Sequence, residues 1–90
     1  MNNKRNLKQA INGICNELLA ECMAASLYGS HSEAENVETL LASIIAVRDD
    51  FVCRISHPEP GMKPQDYYKQ LINDFEVQIN ELADHVNNLI

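Results

Sequence analysis

Arg48 is the polar residue of this sequence best placed for binding chemistry, because apolar residues surround it at helical spacing. Residues that share its predicted helix face are Leu41, Ile44, Val52 and Ile55. A guanidinium on such a face needs an acidic partner or a bound anion. Glu76 is expected at a similar height on a neighbouring helix, and Glu17 is the alternative partner.

Two interpretations of Arg48 follow from this position. In one, Arg48 lines a pocket between helices together with Glu76, Tyr67 and Tyr68, and clamps the carboxylate or phosphate of a small anionic ligand. In the other, Arg48 forms a structural ion pair or extends along the seam of a dimer. The structural interpretation is favoured.

Cys53 and His57 could share a metal ion, because residues four apart lie on one helix face. Tetrahedral zinc needs two further ligands. The remaining soft ligands are dispersed along the chain, at Cys15, Cys22, His31 and His85. We therefore predict no metal site and no other cofactor.

Motifs of the common enzyme classes are missing from the sequence. No glutamate is followed three residues later by histidine, which excludes a di-iron bundle. Residues 9–28 contain no lysine or arginine, which excludes the dicarboxylate site of an all-α chorismate mutase. Neither a nucleophile–histidine–acid order nor a glycine-rich phosphate loop rises above chance. The sequence predicts a protein that is not an enzyme.

Apolar residues recur at steps of three and four along three segments, which predicts helices over about 5–28, 33–56 and 64–89. Gly29 ends the first, the prolines from Pro58 onward end the second, and Pro64 suits the first turn of the third. The third has the most regular repeat, formed by Tyr68, Ile72, Phe75, Ile79, Leu82, Val86 and Leu89. Its opposite side is expected to be polar.

Short connections between helices of equal length predict an all-α, antiparallel, up-down-up three-helix bundle. No linker or repeat divides residues 1–90, so a single domain is expected. Seven basic residues against 13 acidic ones give a net charge of −6, which disfavours nucleic acid as a partner. No segment is apolar enough to enter a membrane, and three cysteines without pairing motifs indicate the cytoplasm.

Helices 1 and 2 carry more apolar residues than one core-facing stripe requires, since the apolar arc of helix 2 is roughly 160° wide. The surplus residues are Ala20, Met23, Ala24, Leu27, Leu41, Ile45 and Val52. Uncovered apolar patches mark partner surfaces, and a second copy is the simplest partner. We predict a homodimeric, non-catalytic protein interaction or regulatory module, which could also bind another protein. An acidic decoy displaying Asp74, Glu76, Glu81 and Asp84 is a further alternative.

Overall fold

Three long helices account for most of the described chain. The structure is a computed structural model, and it describes residues 4–28 and 34–89. Helix α1 spans Lys4–Tyr28, α2 spans Ala34–Ser56 and α3 spans Pro64–Asn87. They form the antiparallel three-helix bundle that the periodicity predicts. Gly29 and residue 33, the predicted start of the second helix, lie outside the described residues.

The two ends of α3 follow from local backbone chemistry. Pro64 is its first helical residue, after Lys63 in an extended conformation, because proline fixes the backbone but removes no hydrogen bond there. The preceding turn contains Gly61 at a φ of 88°. At the other end the helix stops two residues before the predicted position 89. The N–H groups of Asn88 and Leu89 close it by donating to the carbonyls of Asp84 and Val86.

The core is a single apolar cluster shared by the three helices. Its buried members are Ile11, Cys15, Leu18, Cys22, Ala25, Val37, Leu40, Ile44, Phe51, Ile55, Leu71, Phe75, Leu82 and Val86. Among the described residues no polar or charged side chain is buried. Phe51 and Phe75 meet edge to face with ring centroids 5.3 Å apart, which joins α2 to α3.

The buried side of α3 is rotated from the predicted repeat. Leu71, which the repeat omits, is buried, whereas Ile72 and Ile79 are only partly buried. A seven-residue repeat drifts by about 20° per heptad around a straight helix, so it cannot follow the core along three heptads. The expected polar outer side also has an exception, because Val77 is 56% exposed.

The lateral order of the helices decides which side of α2 each neighbour covers. Leu40 and Val47 line a groove between α2 and α3, so this side of α2 faces α3. Arg48 lies close enough to Cys15 of α1 to influence its ionisation, so the Arg48 side faces α1. Among the described residues, no helix combines the length and apolarity needed to cross a lipid bilayer.

Candidate interaction surface

One face of the α1–α2 hairpin carries exposed apolar side chains, and we name it the hairpin face. It comprises Ala20, Met23, Ala24 and Leu27 of α1 with Leu41, Ile45 and Val52 of α2. Leu27 is 79% exposed, Met23 55% and Ile45 39%. Both alanines are exposed, whereas Leu41 and Val52 are half-buried against the edge of the core. The hairpin face therefore begins at the core and continues into solvent.

Arg48 lies at the inner edge of the hairpin face with little to hold its charge. Its side chain is 29% exposed, and its Nε atom lies 3.3 Å from Oδ1 of the adjacent Asp49. Arg54, one and a half turns further on, is held much more firmly. Its guanidinium pairs with Asp50 at 2.9 Å and lies 4.7 Å from the centre of the Phe51 ring. Arg48 is thus the less engaged of the two arginines.

The structure does not bring Arg48 and Glu76 together. Glu76 is exposed and lines a groove between α1 and α3, whereas Arg48 lies on the α1–α2 side of the bundle. Cys15 of α1 is fully buried. Burial raises the pKa of the Cys15 thiol, and the positive charge of Arg48 partly offsets this rise. Glu17, the alternative partner, is exposed on α1.

Tyr67 and Tyr68 have a role that the sequence did not suggest. The Tyr68 hydroxyl donates to the Ile55 carbonyl at 3.0 Å, and the Tyr67 hydroxyl donates to the Arg54 carbonyl at 2.8 Å, with the His57 carbonyl 3.2 Å away. The last carbonyls of a helix lack partners within it. The two tyrosines therefore cap α2 and fasten the start of α3 to its end. The sequence feature that could have indicated this role is the pair of adjacent tyrosines shortly after the proline-rich turn.

Cys53 and His57, the weak metal candidates, are both exposed near the end of α2. Across residues 4–28 and 34–89, no three side chains of histidine, cysteine, aspartate or glutamate are grouped where they could hold a metal ion. His31 lies outside those ranges. All three cysteines are free thiols.

Open grooves flank α3 on both sides. The α2–α3 groove has a volume of about 690 Å³ and includes Glu81 and His85 in its lining. The α1–α3 groove, of about 360 Å³, has Glu76 at its edge. Asp74 lines two further grooves on the α2 side. Glu76 therefore lies on a different side of α3 from Asp74 and Glu81, which weakens the decoy hypothesis.

Comparison of the chain with protein-family models, with curated proteins and with solved structures finds no match.

Proposed function

We propose that this protein is a non-catalytic interaction or regulatory module that works as a homodimer through the hairpin face. The observation that carries the proposal is the exposure of Met23, Leu27 and Ile45 on one side of one hairpin. Apolar side chains scattered singly over a surface need no explanation, but a group continuous with the core indicates a partner.

A second copy fits this surface by size and by charge. A hairpin of two such helices presents an area about 37 Å long and about 20 Å wide, close to the roughly 800 Å² that each partner buries in a standard interface. Two chains of net charge −6 repel each other. The seven residues of the hairpin face carry no charge, so association there brings few acids into contact.

The free cysteines favour a reducing compartment, and we place the dimer in the cytoplasm. Its regulatory task would be to present the remaining surface, including the two grooves beside α3, to another protein.

Arg48 supports a second candidate function, the binding of a small anion. Among the described residues, its guanidinium contacts one carboxylate, that of Asp49, through Nε, and it remains partly exposed. A carboxylate or phosphate could occupy the other N–H groups. This candidate is weaker, because Glu76, Tyr67 and Tyr68 lie elsewhere and Arg48 does not line the grooves described above.

Sedimentation equilibrium at micromolar concentration tests the dimer. We expect the wild type to sediment as a dimer and Met23→Ser combined with Ile45→Ser to sediment mainly as a monomer. Val77→Ser is the matched control, since Val77 is as exposed as Met23 but lies on α3. It should leave the dimer intact. A monomeric wild type would overturn the proposal.

The anion candidate is tested separately by thermal melting with inorganic phosphate or citrate. Binding at Arg48 predicts a rise in the melting temperature of the wild type that Arg48→Met abolishes. Equal responses of both proteins exclude this candidate.

A further inference from the structure

Four residues of α2 have a spacing that is symmetric about its own centre. Glu38, Leu41, Ile45 and Arg48 are separated by three, four and three residues, and they fall within a helical arc of about 80°. Their exposure increases toward the outer side of this arc, from half-buried Leu41 and Arg48 to exposed Ile45 and Glu38. Along the helix, the two apolar residues lie in the middle of the set and the two opposite charges lie at its ends.

The two charges cannot satisfy each other within one chain. Ten residues of α-helix separate Glu38 from Arg48, which corresponds to about 15 Å. Among the described residues, the ion pair of Arg48 is the one with adjacent Asp49, and side chains of adjacent residues do not face each other on a helix. Among the described residues, Glu38 forms no ion pair. Within the described residues, neither charge has a strong partner.

Reversing one copy of α2 against another satisfies both charges at once. When two such helices run antiparallel and cross at the level of Ser43, Glu38 of each copy faces Arg48 of the other. Leu41 of each copy then faces Ile45 of the other. A two-fold axis produces every such contact twice.

We propose that the hairpin faces of two copies pack with their helices antiparallel, α2 against α2 and α1 against α1, with the two-fold axis near Ser43. This geometry rests on the proposed homodimer and specifies its register. The α1 part of the hairpin face contributes Ala20, whose exposed methyl side chain permits close approach of the second copy.

A different two-fold axis, parallel to the helices, would place α1 against α2 of the partner. Residues of equal height would then meet, and Glu38 of one copy would remain about 15 Å in height from Arg48 of the other. The pairing of Glu38 with Arg48 therefore discriminates between the two dimers.

Complementary charge reversals test the register. In the antiparallel dimer, Glu38→Arg creates two Arg–Arg contacts and Arg48→Glu creates two Glu–Glu contacts, so each variant alone should dimerise at least about tenfold more weakly. An equimolar mixture of the two variants contains only opposite-charge contacts in its heterodimer. We expect the mixture to recover the wild-type dissociation constant to within about threefold, with the heterodimer as the dominant species.

Glu81→Arg and Lys69→Glu are the matched controls, because they make the same changes of net charge at exposed sites on α3. Each control alone should dimerise like the wild type. Both tested residues are on the surface, and circular dichroism checks that each variant remains helical. Glu38→Lys and Arg48→Asp form a second pair if either variant loses its fold.

The outcomes separate this register from the homodimer itself. A dimeric wild type whose single variants are unaffected, or whose mixture shows no recovery, overturns the antiparallel register and leaves the homodimer standing. A monomeric wild type overturns both.

Discussion

The junction between α2 and α3 yields the sharpest prediction of stability, because two adjacent tyrosines make similar hydrogen bonds in different surroundings. Tyr68→Phe removes the 3.0 Å donor to the Ile55 carbonyl, and Ile55 is completely buried. No other donor to this carbonyl is present among the described backbone hydrogen bonds of the turn. Leaving such a carbonyl unsatisfied costs about 1–2 kcal/mol of unfolding free energy.

Tyr67→Phe is the matched control for this substitution. The Arg54 carbonyl that it serves is more accessible to water and also accepts the N–H of His57 at 3.2 Å. We therefore expect a loss of about 0.5 kcal/mol or less. In a domain of this size each kcal/mol corresponds to roughly 4–8 °C in melting temperature.

The assay is urea unfolding followed by circular dichroism at one protein concentration, because dimerisation makes stability depend on concentration. The Tyr68 variant should unfold at a clearly lower urea concentration than the Tyr67 variant, with an unchanged slope. If Tyr67→Phe costs as much as Tyr68→Phe, the buried carbonyl of Ile55 does not determine the stability of this junction.

Four further predictions concern the glycines and the thiols. Gly13→Ala should raise the unfolding free energy by about 0.5–1 kcal/mol, since a Cβ there meets no atom within 4 Å, and an unchanged urea midpoint would contradict this. Gly61→Ala should lower it by about 1–2 kcal/mol because of the φ of 88°; equal stability would show that the turn relaxes. Of the three thiols, exposed Cys53 should react rapidly with a disulfide reagent, whereas Cys15 and Cys22 react only on unfolding. Burial raises the pKa of both buried thiols, so the unfolded chain ionises first, and stability should fall as the pH rises above about 8.5. Urea midpoints between pH 7 and pH 10 check the sign.

Most of the fold could be predicted because apolar periodicity determines where helices form and which side they bury. On α1, residues at steps of three and four include buried Ile11, Cys15 and Leu18, whereas Ile14, which has the same spacing, is 44% exposed. On α3 the repeat predicts buried Phe75, Leu82 and Val86 but omits Leu71, which is also buried. Leu71 is more deeply buried than Ile72 of the repeat because a straight helix has 3.6 residues per turn, whereas a seven-residue repeat corresponds to 3.5.

The surroundings of Arg48 could not be predicted from periodicity. The heights of residues along the helices do not determine on which side of the α1–α2 hairpin α3 packs. A third helix can pack on either side of the same α1–α2 hairpin. Pairing Arg48 with Glu76 assumed that α3 covered the Arg48 side of α2. It covers the side of Leu40 and Val47, so Glu76 and Arg48 lie on different sides of the bundle.

The capping of α2 by the two tyrosines could not be predicted for a related reason. Tyr68 belongs to the apolar repeat of α3, and its burial was predicted from its ring. The hydroxyl reaches the Ile55 carbonyl only because the short turn at Pro58–Pro64 returns the chain to the end of α2. To predict the contacts of a tyrosine, the surroundings of both its ring and its hydroxyl group must be known. The apolar periodicity indicates the surroundings of the ring alone.

The lateral order also determines what the hairpin face can recognise. If α3 lay on the Arg48 side of α2, it would cover Leu41 and Val52 and leave Leu40 and Val47 exposed. On that side of α2, the described charges Asp50 and Arg54 already pair with each other, four residues apart. They would therefore not be left to pair with a second copy. With α3 on its actual side, α3 covers neither Glu38 nor Arg48, and neither has a strong partner among the described residues. Under the proposed register, the position of α3 therefore directs self-association as well as completing the core. Weakening the contact of α3 with α2, for example by Phe75→Leu, should then destabilise the fold more than it changes the pairing of Glu38 with Arg48. Charge-reversed variants that carry this substitution should still recover dimerisation on mixing, at temperatures where both remain helical.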